Sequence, residues 1–169
     1  MKIRKAAPAD AKGIARVHVD SWKTTYKNIV PAEYLMNLTY EQRERMWEQN
    51  SFEGNVFVAE NEAGEIVGFS TGGKERTGDY AGYAGELYAI YILDEYQGTG
   101  LGKQLVKRVA ELLREQAING MLVLVLEDNL ACGFYEAQGA KKIGMAEIEI
   151  AGKKLSEAVY GWDDIGSII

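Results

Sequence analysis

Tyr91-Ile92-Leu93-Asp94-Glu95-Tyr96-Gln97-Gly98-Thr99-Gly100-Leu101-Gly102-Lys103 is the stretch on which the reading of this chain turns. Ahead of it, Glu86 to Leu93 predicts a strand. Behind it, Gly100 to Gln116 predicts a helix, with Leu101, Leu105, Val109, Leu112 and Leu113 on one stripe. Phosphate-binding motifs sit between a strand and a helix, so each can be tested. A P-loop ending at Gly102-Lys103 needs glycine at 97 and Ser or Thr at 104, and the chain has Gln97 and Gln104. A dinucleotide fingerprint counted from Gly98 or from Gly100 needs glycine at 103 or 105, where Lys103 and Leu105 stand. What remains is Gln97-x-x-Gly100-x-Gly102 at a helix start. Glycines there let backbone N–H groups converge on an anion, and the helix dipole adds partial positive charge. The same glycines would also serve a plain tight turn.

Working outward, Met121 to Leu126 is an unbroken apolar run, as a buried central strand requires. With the segment above it makes one strand-helix-strand crossover, from Glu86 through Leu126. Ile3 to Ala6 predicts a strand, Pro8 to Lys23 a helix, Asn28 to Pro31 a turn, and Pro31 to Asn50 a second helix. Asn55–Glu60 and Glu65–Thr71 flank a turn signal and predict a hairpin, and Gly72 to Gly82 a charged, glycine-rich loop. Asn129 to Gln138 predicts a short helix with Asn129 as N-cap. Lys142–Ile150 and Lys153–Trp162 predict a last hairpin around Ala151-Gly152. The fold class is therefore α/β (α+β): a mixed sheet of about seven strands flanked by about four helices.

The 169 residues suit a single domain spanning 1–169, with halves of about 1–84 and 85–162. The net charge of −6 and pI near 5.0 disfavour binding nucleic acid through its phosphates. The single cysteine, Cys132, forms no internal disulfide, and the single histidine, His18, disfavours multi-histidine metal sites, so no metal is expected. The first ten residues lack an apolar signal region, and no apolar run reaches membrane-spanning length, so no membrane partner and a cytoplasmic location are expected. Ten of the nineteen glycines fall between Gly64 and Gly102, a backbone requirement concentrated in the middle third.

Two blocks resemble a known family. Tyr91 to Gly102 looks like the acetyl-CoA signature of the GCN5-related N-acetyltransferases, the GNAT family. Asn129-Leu130-Ala131-Cys132-Gly133-Phe134-Tyr135-Glu136-Ala137-Gln138-Gly139-Ala140 resembles that family's second block. The element order matches the family's fold over nearly the whole chain. The resemblance implies an acetyl-CoA cleft at the crossover, with pantetheine pairing along Ile90, Tyr91 and Ile92. It implies a pyrophosphate on Gln97, Gly98, Thr99, Gly100, Leu101, Gly102 and Lys103, and Asn129 near the pantetheine arm. Gly98 stands where the family often has a basic residue, and Lys103 could compensate.

The implied reaction moves acetyl from acetyl-CoA to a primary amine of a small molecule or peptide, by direct attack in a ternary complex. Tyr135 matches the family tyrosine near the sulfur and would be the general acid, or else a core tyrosine. Glu86 lies eleven residues before Gln97, the offset of the strand glutamate used as base in histone-type members. It would act as base through water or orient the acceptor, and by period two it shares a face with Tyr88, Ile90 and Ile92. A backbone N–H near Ile92 would face the oxyanion. Trp22, Tyr26 and Tyr34 fall in the family's usual acceptor wall and would either meet a cationic acceptor or serve as core. His18 reads as structural and Cys132 as a small buried filler. A non-catalytic acyl-CoA sensor or interaction protein of the same fold is the alternative. Apolar residues on both faces of the last hairpin, Leu155 and Val159 against Ala158, Tyr160 and Trp162, suggest a homodimer.

Overall fold

Each apolar pattern above becomes an element of the computed structural model, which describes residues 1–50 and 52–169. In chain order these are β1 (Lys2–Lys5), α1 (Ala11–Thr25), α2 (Ala32–Met36), α3 (Tyr40–Glu48), β2 (Val56–Glu60) and β3 (Ile66–Lys74). Then follow β4 (Gly85–Ile92), α4 (Leu101–Glu115), β5 (Met121–Leu126), α5 (Ala131–Ala137), β6 (Lys141–Ile150) and β7 (Lys153–Trp162). The strands form one sheet of order β1-β2-β3-β4-β5-β7-β6, in which only β4 and β5 run parallel. No helix among the described residues is long and apolar enough to cross a membrane.

The α4 stripe explains how the crossover holds. Leu101, Leu105, Val109 and Leu113 are buried against one face of the sheet, and Leu112 lies half-buried at the stripe's margin. A fully buried Leu or Val stabilises the fold by about 1.5–3 kcal/mol. The other face carries α1, braced by α3, with Ile14, Ala15 and Val17 turned inward. A smaller cluster joins Val19, Tyr26, Val30, Leu35 and Leu38 to Leu126 and Leu155 of the sheet.

Two local expectations and the helix count change. The single helix expected over Pro31–Asn50 is two, because Thr39 acts as an N-cap and its Oγ1 accepts the Gln42 N–H at 3.3 Å. The sheet is thus flanked by five α-helices rather than about four. Gly72 and Gly73 belong to β3, and the loop runs only from 75 to 84. Gly72 is glycine because α4 crosses closely there: a Cβ would meet Val109 Cγ1 and lie 2.7 Å from the Glu86 carbonyl oxygen. The two-faced apolar pattern of β7 is accounted for inside one chain. This strand lies between β5 and β6, so Leu155 faces the smaller cluster while Ala158, Tyr160 and Trp162 face the main core.

Gly72→Ala is expected to destabilise the protein by about 1–3 kcal/mol, since a backbone carbonyl cannot rotate out of the way as a side chain can. At roughly 2–4 °C per kcal/mol, thermal unfolding reads this directly as a lower Tm. An unchanged Tm would show that the sheet and α4 do not meet as closely as described.

Candidate active site

The parallel pairing of β4 with β5 stops early. Gly85, Glu86 and Leu87 pair with Met121, Leu122 and Val123, and β4 then continues to Ile92 without a partner on that side. The cause lies on the other edge of β4. Ala89 sits opposite Thr71 and Leu87 opposite Gly72, which leaves Tyr88 as an extra residue. Such a bulge bends and twists its strand. Here it carries β4 away from β5 and opens a cleft of about 810 Å³, lined by Tyr88 to Ile92 on one side and Val123 to Val125 on the other.

The bulge also reverses which side chains share a face, and this corrects the period-two grouping of Glu86 with Ile90 and Ile92. Gly72, opposite Leu87, abuts Val109 of α4. Ser70, opposite Ile90, donates its hydroxyl to the Leu105 carbonyl of α4 at 3.0 Å. Leu87, Ile90 and Ile92 therefore face α4. Glu86 and Tyr88 face the α1 side with Tyr91. The backbone follows the same logic. The Leu93 N–H donates to Val67 of β3 at 3.0 Å, so alternation turns the N–H and C=O of Ile90 and Ile92 toward the cleft. The Ile92 carbonyl is taken by Gln97 Nε2 at 3.2 Å, which pins the glycine loop to the end of the strand.

That loop ends in a left-handed turn. Gly98 and Gly100 have φ of 73° and 85°, conformations costly for a side-chain-bearing residue, and Gly100 is the N-cap of α4. The first-turn N–H groups of Leu101, Gly102 and Lys103 have no partner within the helix. They add to the dipole at the cleft's end, where Gly98, Gly100, Gly102 and exposed Lys103 all line it. Leu101 is buried and offers only its backbone. Thr99 Oγ1 donates to the Tyr96 carbonyl at 2.7 Å and holds the turn.

The facing wall comes from α5. Asn129 precedes it, with Leu130 rather than Asn129 at the N-cap position. The Asn129 Oδ1 still accepts the Ala131 N–H at 2.9 Å, while its Nδ2 donates to the Tyr26 hydroxyl at 3.4 Å and ties α1 to α5. Tyr135 lines the cleft with its ring edge-on to Trp162, centroids 6.0 Å apart. Burial holds its phenol well above the ordinary tyrosine value, so the ring carries its proton at neutral pH. Cys132, expected buried, is half-buried on the same helix.

The remaining candidates divide. Tyr26 lines the cleft, whereas Trp22 and Tyr34 stack beside it in the smaller core cluster, at 4.4 Å from Tyr26 to Trp22 and 5.9 Å from Trp22 to Tyr34. Glu86 is 1% exposed and does not line the cleft. Its Oε2 meets Arg76 Nη2 at 2.6 Å, and its Oε1 accepts from the Arg76 backbone N–H at 3.2 Å. The guanidinium lies 4.5 Å over the Tyr88 ring. Arg76 sits in the 75–84 loop, where no periodicity marks it. Ser21 of α1, which also lines the cleft, was hidden inside a helical pattern that shows only its apolar stripe.

The chain is matched by the model of the Acetyltransferase (GNAT) family over residues 19–140. An uncharacterized N-acetyltransferase of Bacillus subtilis, YuaI, is 42% identical over 98% of this chain and 95% of its own length. An L-methionine sulfoximine/L-methionine sulfone acetyltransferase of Pseudomonas aeruginosa is 29% identical over 76% of this chain and 73% of that protein. The structure of yncA from Salmonella typhimurium, solved with its cofactor acetyl-CoA, superposes with a TM-score of 0.70 at 20% identity, covering 96% of this chain and 92% of the other. The chain belongs to the GNAT family and is an acyltransferase.

His18 supplies a pH test of this packing. Its Nδ1 accepts the Trp47 indole N–H at 3.3 Å, and its ring stacks on Tyr91 at 5.5 Å. Burial first, and the charge of Arg43 second, push it from the ordinary 6.5 down to about 4. The unfolded chain takes up a proton below pH 6.5 that the folded chain refuses. The His18 contribution to stability is therefore full above pH 6.5, falls by about 3 kcal/mol as pH drops toward 4, and levels off below. Urea unfolding between pH 7 and pH 4.5 reads this slope, and His18→Gln is expected to flatten it. The Asp10 carboxyl, held low by Arg4, acts only at still lower pH. An equal slope in both proteins would contradict the buried neutral ring.

Proposed function

We propose that the chain transfers an acetyl group from acetyl-CoA to a primary amine of a small molecule or peptide, by direct attack while both substrates are bound. One observation carries this reading: an unpartnered strand edge and a glycine-rich helix start face the same cleft. Acetyl-CoA fits both features, since its pantetheine arm carries amides and its pyrophosphate is anionic. The Ile90 N–H and C=O would pair with the amides. The Gly98–Lys103 turn would hold the pyrophosphate, with exposed Lys103 as its one side-chain cation, and Asn129 would meet the arm from the α5 side.

Bound there, acetyl-CoA supplies an acyl carbon on a good leaving group. The chain's residues do the rest. The Ile92 N–H would donate to the acyl oxygen as charge develops. Tyr135, kept protonated by burial, gives its proton to the departing sulfur. The amine enters from the α1 side, past Tyr26. Glu86 stands outside the cleft with both its oxygens accepting from Arg76, so its role is to hold Arg76 over Tyr88 and not to meet the amine. The acceptor class is an amine small enough to enter beside α1. The methionine sulfone and sulfoximine acetylated by the Pseudomonas relative are the first candidates.

The test is acetyl-CoA-dependent thiol release against a panel of L-methionine sulfone, L-methionine sulfoximine, polyamines, aminoglycosides and short peptides with free amines. Release above the amine-free rate in at least one pool is the expected result. Tyr135→Phe is then expected to lower kcat by about 10²-fold or more while leaving the thermal stabilisation by acetyl-CoA unchanged. An unaltered kcat would remove Tyr135 from the proton path. Binding of acetyl-CoA with silence in every pool would favour a sensor over an enzyme of this acceptor class.

A further inference from the structure

Ser21 lies in the middle of α1, is 1% exposed, and lines the cleft, yet its Oγ has no hydrogen-bond partner among the described residues. A buried hydroxyl left this way costs about 1–3 kcal/mol. Folded proteins leave few such groups, and those they leave call for an explanation. A mid-helix serine ordinarily relieves the cost by donating to the carbonyl four residues back. Ser21 does not; only its own carbonyl is engaged, by Thr24 Oγ1 at 3.2 Å. Alanine would remove the penalty.

The surroundings indicate what the hydroxyl waits for. Thr25, one turn on, and Tyr26 line the cleft with it, so the helical part of this wall is hydroxylic. The nearest acid on α1, Asp20, is engaged by the Tyr40 hydroxyl at 2.5 Å. Tyr26 and Tyr91, both cleft-lining, are held above the ordinary tyrosine value chiefly by burial and remain neutral. Lys27 and Asp128 also line the cleft and Glu157 lies near Tyr26, but it is the uncharged amine that attacks an acyl carbon, because an ammonium has no lone pair. A neutral amine has N–H groups to donate and needs an acceptor that does not compete for its lone pair.

We propose that Ser21 is a positioning residue for the acceptor: its Oγ accepts a hydrogen bond from the N–H of the attacking amine between α1 and the open edge of β4. This rests on the acetyl-transfer reading above. The reaction itself is unchanged: nitrogen bonds to the acyl carbon, the carbon–sulfur bond breaks, the nitrogen passes one proton to solvent water, and the sulfur takes one from Tyr135, which is reprotonated from solvent.

Ser21→Ala separates this role from a structural one. With the panel amine that the wild type acetylates fastest, the variant's kcat/KM for the amine is expected to fall about tenfold, while its KM for acetyl-CoA stays constant. The Tm of the free protein is expected to hold or rise by a few degrees, because a penalty has been removed. Ser21→Cys, which keeps the volume but offers a weak acceptor, is expected to follow alanine in activity. A Tm that falls with equal losses toward both substrates assigns Ser21 to packing and overturns the proposal. So does an unchanged kcat/KM for the amine. Silence of the wild type toward the whole panel overturns the acetyl-transfer reading itself, and the Ser21 assignment with it.

Discussion

One extra residue in β4, Tyr88, is the constraint on which the rest of this molecule depends. A sheet normally satisfies every interior N–H and C=O with a neighbouring strand, and leaving them unmatched inside a protein is costly. Here β4 and β5 share three rungs and then part. The freed backbone of Ile90 and Ile92 faces a cleft instead of a neighbour. Everything that lines the cleft is held by elements that would exist without it: α4 by its leucine stripe, α5 by Tyr135 and Phe134 against the core, α1 by Ile14 and Val17. The opening is thus an interruption in an otherwise well-closed sheet, placed beside the one helix start whose turn is built from glycines.

The two faces of the sheet then divide the chemistry. Beyond the bulge, Ile90 and Ile92 point to α4 and complete the core, whereas Glu86, Tyr88 and Tyr91 point to the α1 side. On that side the groups are mostly neutral hydroxyls, and the one buried carboxylate is already paired with Arg76. Toward α5, burial keeps the Tyr135 phenol protonated. A protonated phenol can give a proton to a sulfur leaving group. In the proposed reaction, donor and acceptor sides meet at the unpartnered stretch of β4.

Much of this was legible in the residues. Period and apolarity located all seven strands and the long helix, because Met121–Leu126 and the Leu101–Leu113 stripe can bury their surface in only one way. The glycine turn could be placed at a helix start by excluding the phosphate motifs it fails to match. Three things were not legible. The bulge at Tyr88 leaves no mark in the sequence, since Tyr is as common in a regular strand as in a bulged one, so the facing of Glu86 came out wrong relative to Ile90. Gly72 and Gly73 looked like a loop, since glycine marks a close approach and a turn with the same letter. Arg76 and Ser21 act through tertiary position alone, one reaching back from a loop to Glu86 and the other buried in a helix whose pattern shows only its apolar face.

Amide hydrogen exchange with and without acetyl-CoA tests the central claim most directly, because it reads the strand edge residue by residue. In the free protein the amides of Ile90 and Ile92 should exchange far faster than those of Tyr91 and Leu93, whose partners lie on β3. On adding acetyl-CoA, Ile90, Ile92 and the Gly98–Lys103 turn should become protected, while the open edge of β6 stays as it was. Equal protection of Ile90 and Tyr91 in the free protein, or protection by acetyl-CoA that falls elsewhere, would contradict the account.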